Sequence, residues 1–268
     1  MTRIVAIDYE ISSTCQARCP VCIRQDGGKL KDFVQTQRTL DETKHILHGV
    51  ASGLEFVKFC GNYGDPMGCD AVADISEWLI SENPKVRIDI ATNGAIGKPD
   101  TYRRLGKMGV NVIFGFDGSD QESNQLYRRN VKWSDAMDNL KAYSSECTAQ
   151  HSSWQYLLFN ENKINLERAI QIAIEHKIKM FNINERPNPF STSFHSSIDK
   201  LSGKYDIIQS EGSNDFKELA SGGEKLRVYY GAGTYDESDI EYSLTPAYNM
   251  SAHIQKLKEK YDTDLHFV

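Results

Sequence analysis

Three of the six cysteines in this 268-residue chain lie within eight residues, at Cys15, Cys19 and Cys22. Their spacing, C-x3-C-x2-C, follows the apolar run 4–7, which predicts a strand, so the cysteines belong to a loop at its end. Thiols this close together on one loop cannot all pack into a core, and they cannot pair as disulfides without strain. They are suited to bind iron–sulfur clusters or zinc. A [4Fe–4S] cluster takes four ligands, so this loop would leave one iron open to an outside ligand.

The spacing, with the apolar Val21 before the last cysteine, resembles that of the radical S-adenosylmethionine (radical SAM) superfamily. The resemblance implies a [4Fe–4S] cluster bound by Cys15, Cys19 and Cys22, with S-adenosylmethionine on the open iron. It also implies that an electron from the cluster cleaves the cofactor to a 5'-deoxyadenosyl radical. That radical then abstracts a hydrogen atom from the substrate. Val21 is expected among the cofactor-binding residues.

A second motif follows the predicted strand 55–60. The run Tyr63-Gly64-Asp65-Pro66 resembles the Gly-Gly-Glu-Pro-like motif that grips the amino group of the cofactor in this family, with Tyr for the first Gly and Asp for Glu. Glycine and proline after a strand also suit any tight turn. The resemblance predicts that these four residues form the cofactor loop. Because Asp is shorter than Glu, backbone contacts are expected there more than a carboxylate contact.

Further motifs follow the later strands. Thr92 and Asn93 come after the predicted strand 87–91, and the resemblance places them beside the cofactor, although Asn-Gly by itself marks any turn. Asp117 belongs to a run that resembles the Ser-x-Asp-Gly signature of the peptide-modifying branch, in which an arginine follows about ten residues later. Gly115 replaces the serine, and Arg128 is either a partner of the cofactor carboxylate or a surface arginine.

The pattern Trp-Gln-x-Leu-x-Phe-x-x-Asn, which begins at Trp154, resembles the same branch and adds Gln155 to the cofactor-binding residues. Of the remaining cysteines, Cys60 and Cys69 flank the cofactor loop. Each is either a small buried apolar residue, as Cys147 is expected to be, or a hydrogen-atom donor or fourth metal ligand. The alternative to an enzyme is a non-catalytic zinc-binding module. In it, the three loop cysteines and Cys60, Cys69 or a histidine would bind zinc tetrahedrally.

The motifs are separated by alternating strands and helices. Strands are predicted at 3–11, 55–60, 87–91, 111–118, 153–159 and 179–184, with helices between them, and the segment 24–38 is predicted as a mobile loop. Such an alternation is typical of an α/β protein with a parallel sheet. Six units fit the partial (β/α)6 barrel of the radical SAM family. Every motif then lies at the carboxyl ends of the strands, where such barrels carry their chemistry.

The pattern changes after residue 186. We therefore expect a barrel domain over 1–186 and a C-terminal extension over 187–268 that caps the substrate side, with a strand at 226–230 and a helix at 252–261. No cysteine follows Cys147, so the extension cannot bind auxiliary iron–sulfur clusters through thiolates, as many enzymes of the peptide-modifying branch do.

Composition narrows the choice of partners. The net charge of −6 gives no general attraction to nucleic acid, and neither a membrane span nor a signal peptide is indicated. A cytoplasmic protein with reduced cysteines is expected. The resemblance implies a peptidyl or amino-acid-like substrate and a reductant such as flavodoxin or ferredoxin. The alternative within the family is a nucleoside or small metabolite.

Overall fold

The computed structural model describes the side chains and backbone of most of the first 185 residues and the backbone of three later strands. The described ranges are 6–20, 22, 24–26, 29–30, 35–158, 161–185, 206–210, 216–221 and 224–231. Val21 and the predicted helix at 252–261 lie outside them.

Eleven strands and six α-helices make up the described regular structure. The strands are β1 (Ala6–Tyr9), β2 (Gln25–Asp26), β3 (Lys29–Leu30), β4 (Phe56–Phe59), β5 (Arg87–Thr92), β6 (Asn111–Gly115), β7 (Ser153–Leu158), β8 (Met180–Glu185), β9 (Asp206–Ser210), β10 (Phe216–Ser221) and β11 (Glu224–Gly231). The helices are α1 (Leu40–Ile46), α2 (Val72–Glu82), α3 (Pro99–Lys107), α4 (Gln121–Gln125), α5 (Trp133–Glu146) and α6 (Leu166–Glu175).

The main sheet has the order β1-β4-β5-β6-β7-β8-β11-β10-β9, and its first six strands are parallel. These six strands alternate with helices, as the sequence predicts. The helices begin where local chemistry favours them: Thr39 and Glu42 form a reciprocal capping box at α1, and Pro99 occupies the first turn of α3. The result is an open parallel sheet with its strand ends gathered at one edge.

Alternate residues of each strand face opposite sides of the sheet. One side packs against the helices in a core rich in aromatic rings, where Trp154 lies 4.9 Å from Phe116 and 5.6 Å from Phe181, measured between ring centroids. Burying each large apolar side chain in this core contributes about 1.5–3 kcal/mol. The opposite side of the sheet is here called the inner face. It carries the alternate strand residues that do not face the core, and these include Gln155 and Asn182.

One buried carboxylate on the inner face, that of Asp89, is paired with an arginine. Asp89, which is 1% exposed, accepts two hydrogen bonds from Arg87, at 2.8 and 2.7 Å, and one from Asn111 at 2.8 Å. A buried carboxylate needs such partners because it has lost its water. This network lies near the amino ends of the strands, away from the sequence motifs.

Three features differ from the sequence-based expectations. The segment predicted as a loop over 24–38 contains the short antiparallel pair β2–β3. Helix α4 was not predicted, and it forms because Asp120 and Ser123 make a capping box after β6. Beyond residue 186, β9 and β10 accompany the predicted strand at 226–230, and β11 pairs in parallel with β8, so all three extend the barrel sheet.

Candidate metal and cofactor site

The cysteine loop (Cys15, Cys19 and Cys22) lies at the carboxyl end of β1. All three cysteines contact one small apolar cluster that includes Tyr127 and Val131. Within the loop, the backbone N–H of Cys22 donates to the carbonyl of Cys19 at 3.1 Å. The three predicted metal ligands therefore border the same cluster.

The turn after α4 anchors this loop. The N–H of Arg18 donates to the carbonyl of Arg129 at 2.8 Å, and the Asn130 side chain donates to the carbonyl of Gln16 at 2.8 Å. Asn130 has a φ of 61°, a left-handed conformation that asparagine tolerates better than most residues. The buried Arg24 adds a third anchor, since its Nη1 donates to the carbonyl of Cys15 at 3.0 Å.

The predicted cofactor loop, residues 63–66, packs directly on the cysteine loop. A Cβ on Gly64 would lie 2.2 Å from the carbonyl oxygen of Ser12, so only glycine fits there. The next N–H, that of Asp65, donates to the carbonyl of Thr14 at 2.8 Å. Tyr63 is exposed and Pro66 is buried at the start of a short 3-10 turn.

The carboxylate of Asp65 joins this loop to the residues that follow β5. Its Oδ1 accepts from the N–H of Met67 at 3.0 Å, and its Oδ2 accepts from the backbone N–H and the Nδ2 of Asn93 at 2.8 and 2.6 Å. Burial raises the pKa of Asp65 to about 6, although these hydrogen bonds act in the opposite direction. The predicted residues Asp65 and Asn93 are thus in direct contact, and the Asp65 carboxylate is engaged by the protein itself.

Asn93 also contacts the cysteine loop. Its Nδ2 lies 3.6 Å from the Sγ of Cys15, and its Oδ1 accepts from the Nε2 of Gln16 at 2.8 Å. The neighbouring Thr92 faces the core side, where its hydroxyl lies 3.3 Å from that of Tyr102. Gln16 was not predicted as a site residue, because only the fold brings it to Asn93.

A second cross-connection joins the ends of β6 and β7. The fully buried Asp117 accepts from Arg128 Nε at 2.6 Å and from the N–H of Leu157 at 2.8 Å. Asn162, the last residue of the Trp-Gln motif, donates to the carbonyls of Asp117 and Leu157 at 2.9 and 2.8 Å. The interpretation of Arg128 as a surface arginine is therefore wrong.

Arg128 lies against two further parts of the site. Its Nη1 is 4.0 Å from the Sγ of Cys19, and a Cβ on Gly115 would lie 2.9 Å from its Nη2. Burial opposes the charge of Arg128, but Asp117 and Cys19 raise its pKa above the usual value, so the guanidinium is always charged. The missing side chain at Gly115 leaves room for this cation.

Gln155 and the two remaining candidate cysteines lie on β7, after β4 and after the 3-10 turn at 66–68, respectively. Gln155 is half-buried on the inner face, between Gly115 and Asn182 in the strand register. Cys60 is buried on the inner face beside Glu10, whereas Cys69 lies in the helix-side core and donates to the carbonyl of Arg38 at 3.2 Å.

The donor set around the cysteine loop fits an iron–sulfur cluster. Burial raises the pKa of Cys15 to about 12 and raises that of Cys19, and metal binding would displace the proton from each thiol. An N–H group points at each of these two sulfurs, as is common around clusters. In such a cluster each cysteine binds a different iron, so the sulfurs need not surround one point. Among the described residues, no group of three His, Cys, Asp or Glu side chains is arranged for a single ion.

Comparison with known proteins gave one family and a set of solved structures. The model of the family described as "Radical SAM superfamily" matches residues 9–173. No curated protein sequence matches the chain significantly.

Two of the similar solved structures illustrate the likeness. Streptococcus suis SuiB bound to S-adenosylmethionine has a TM-score of 0.56 at 13% identity, with 100% of this chain and 50% of that chain covered. Native anSMEcpe with bound AdoMet has a TM-score of 0.56 at 14% identity, with 75% of this chain and 60% of that chain covered. At such low identity the likeness concerns the fold, and it confirms the predicted partial (β/α)6 barrel. The chain spans about half the length of SuiB.

Proposed function

Because the family model matches more than half of its length, the chain belongs to the radical SAM superfamily, and we propose that it is an enzyme that cleaves S-adenosylmethionine reductively. The observation that supports this most directly is the gathering of the three loop cysteines on one apolar cluster, with N–H donors at two of their sulfurs. When bound there, a [4Fe–4S] cluster would supply the electron that converts S-adenosylmethionine into a 5'-deoxyadenosyl radical.

The protein's own contribution is to hold and orient these groups. Cys15, Cys19 and Cys22 bind the cluster, and the 63–66 loop binds the methionine end of the cofactor through its backbone. The Asp65–Asn93 contact fixes that loop against the cysteine loop.

Arg128 and Gln155 are assigned to direct contact with the cofactor in this proposal, and Thr92 and Asp117 to the support of its site. Asp117 acts by holding Arg128 rather than by touching the cofactor, because its oxygens are already bonded to the protein. Val21 retains its assignment from the sequence motif.

A peptidyl or amino-acid-like substrate is supported by the polar side chains on the inner face of β7 and β8. Asn182 is 2% exposed, and within the described ranges neither polar atom of its side chain has a hydrogen-bond partner. The same holds there for the Oγ of Ser153 and the Nδ2 of Asn184. Buried polar groups without partners are rare, and each costs about 1–3 kcal/mol. This uncharged wall would suit the neutral amide groups of a peptide.

Two of the similar solved structures contain a bound peptide, which agrees with that substrate class. SuiB has been solved bound to the precursor peptide SuiA, and native anSMEcpe with bound AdoMet and the Kp18Cys peptide. The same uncharged wall would also accept the edge of a nucleobase, so a nucleoside or small metabolite is the second candidate substrate. Cys60 is the candidate hydrogen-atom donor on the inner face. Cys69, in the helix-side core, is less suited to that role.

The zinc alternative requires a fourth ligand close to the loop cysteines. In the described part of the chain, Cys60 lies beside Glu10, Cys69 donates to the carbonyl of Arg38, and no group of three His, Cys, Asp or Glu side chains is arranged for a single ion. A reductant such as flavodoxin or ferredoxin completes the proposed reaction. None of the described helices is long and apolar enough to cross a membrane.

The test uses protein purified and reconstituted without oxygen. Dithionite and S-adenosylmethionine are added without substrate, and 5'-deoxyadenosine is measured by chromatography. We expect slow formation by the wild type and by Cys60→Ala, and none by Cys15→Ala, Cys19→Ala or Cys22→Ala. A wild-type protein that binds zinc but no iron would contradict the proposal.

A further inference from the structure

Arg128 lies at a position where it can act on the metal centre rather than on the cofactor alone. Its Nε is bonded to Asp117 Oδ2 at 2.6 Å, and its Nη1 faces Cys19 Sγ at 4.0 Å. The guanidinium therefore lies between a buried carboxylate and a cysteine sulfur. Arg128 and Asp117 act on Cys19 in opposite directions, and the effect of Arg128 is the larger of the two.

The chain makes room for this arrangement. At Gly115 any side chain would meet the guanidinium, since a Cβ would lie 2.9 Å from Nη2 and 3.3 Å from Cζ. Asp117, which is fully buried, leaves the guanidinium little freedom to turn away. Two independent features, the carboxylate and the absent side chain, thus fix the same position.

The two sulfurs with N–H neighbours are not equivalent. Cys15 faces the neutral amide of Asn93 at 3.6 Å, whereas Cys19 faces a cation. Reduction of an iron–sulfur cluster adds one negative charge to it, and a nearby positive charge in a buried site stabilises the reduced state more than the oxidised state. Net charge and hydrogen bonds to the sulfurs are among the factors that set the potential of such clusters.

We propose that Arg128, positioned by Asp117 and Gly115, raises the reduction potential of the cluster at Cys15, Cys19 and Cys22, and so makes the one-electron transfer from the external reductant more favourable. This inference rests on the proposed function, because it requires the cluster. It assigns Arg128 a positioning and electrostatic role that acts through Cys19.

The test measures the cluster's midpoint potential by a redox titration followed by electron paramagnetic resonance, on reconstituted protein without S-adenosylmethionine. We expect Arg128→Gln to lower the ratio of reduced to oxidised cluster at a fixed potential by about tenfold, which is about 59 mV for a one-electron couple. Arg128→Lys, which keeps the charge, should restore part of the shift. Arg104→Gln is the matched control, because Arg104 is an exposed arginine paired with Asp74, and its loss should leave the potential unchanged.

A second variant tests placement without removing any charge. Gly115→Ala should displace the guanidinium from Cys19, and we expect a shift in the same direction as Arg128→Gln but smaller. An iron-loaded, folded Arg128→Gln protein with the wild-type potential would overturn this inference alone. If Arg128→Gln does not fold, a wild-type potential in Gly115→Ala would overturn it. Failure of the wild type to bind any cluster would overturn the proposed function and this inference with it.

Discussion

Replacing Gly64 by alanine tests whether the contact between the cofactor loop and the cysteine loop holds the site together. The added Cβ would lie 2.2 Å from the Ser12 carbonyl oxygen, and ordinary contacts begin at 3.4 Å, so the two backbones must separate by about 1 Å. Such a separation would break the bond of Asp65 N–H to Thr14, worth about 1 kcal/mol, and overpacking costs about 1–3 kcal/mol more. The lower entropy of the unfolded alanine chain returns about 0.4–1 kcal/mol.

The net loss of stability is thus about 2 kcal/mol, which urea unfolding of the apo protein can measure. Because a displacement of about 1 Å at a site can reduce a rate by about 100-fold, 5'-deoxyadenosine formation should fall much more than stability alone requires. Gly49→Ala is the control: its φ of 78° makes alanine strained by about 1–2 kcal/mol, but nothing lies within 4 Å and the residue is remote from the site. Gly64→Ala protein with wild-type stability and activity would refute the reasoning. Equal loss of activity in Gly49→Ala would show that stability alone is responsible.

Three further outcomes are expected. Replacing any one of the three loop cysteines by alanine should remove most of the iron measured after anaerobic reconstitution, whereas Cys60→Ala should keep it, and equal iron in all of them would contradict the ligand assignment. Asp89→Ala should lower the free energy of unfolding by about 3–5 kcal/mol in urea, because it leaves the Arg87 charge without its buried carboxylate, and Asp89→Asn should cost less. Burial and then Lys141 lower the pKa of His176, so the unfolded state binds more protons near pH 6 and stability should fall as the pH falls through that range. In His176→Gln, the free energy of unfolding measured in urea should depend less on pH near pH 6. The same pH dependence as in the wild type would contradict this prediction.

The sequence was sufficient to predict the barrel and the position of its motifs. The six parallel strands are apolar runs or alternate apolar and polar residues, as β5 does, and helices with regular apolar spacing separate them. The motif residues therefore lie on one edge of the sheet, which follows from parallel strands alone. The cysteine spacing was equally informative, because three thiols within eight residues are suited to metal binding.

Contacts between distant motifs were not predictable in the same way. The bond from Asp65 to Asn93 and that from Gln16 to Asn93 depend on how neighbouring strand ends are spaced in the folded sheet. The sequence showed only that Gly115 replaces the serine of the Ser-x-Asp-Gly signature. The structure shows that the guanidinium of Arg128 occupies the space where a side chain at Gly115 would lie. The strands β9 and β10 were missed because their segments have little alternation of apolar and polar residues.

The pairing of β8 with β11 has a consequence for how the protein folds during synthesis. Met180 lies opposite Arg227, 47 residues later in the chain, so β8 remains an unpaired edge until β11 has left the ribosome. The six β/α units form from neighbours in sequence, but this last pairing requires closure of a long loop. Exposed edges of this kind invite association with other chains. A version of the protein cut after residue 185 should therefore aggregate, and expression of the proposed domain by itself should improve when β11 is included.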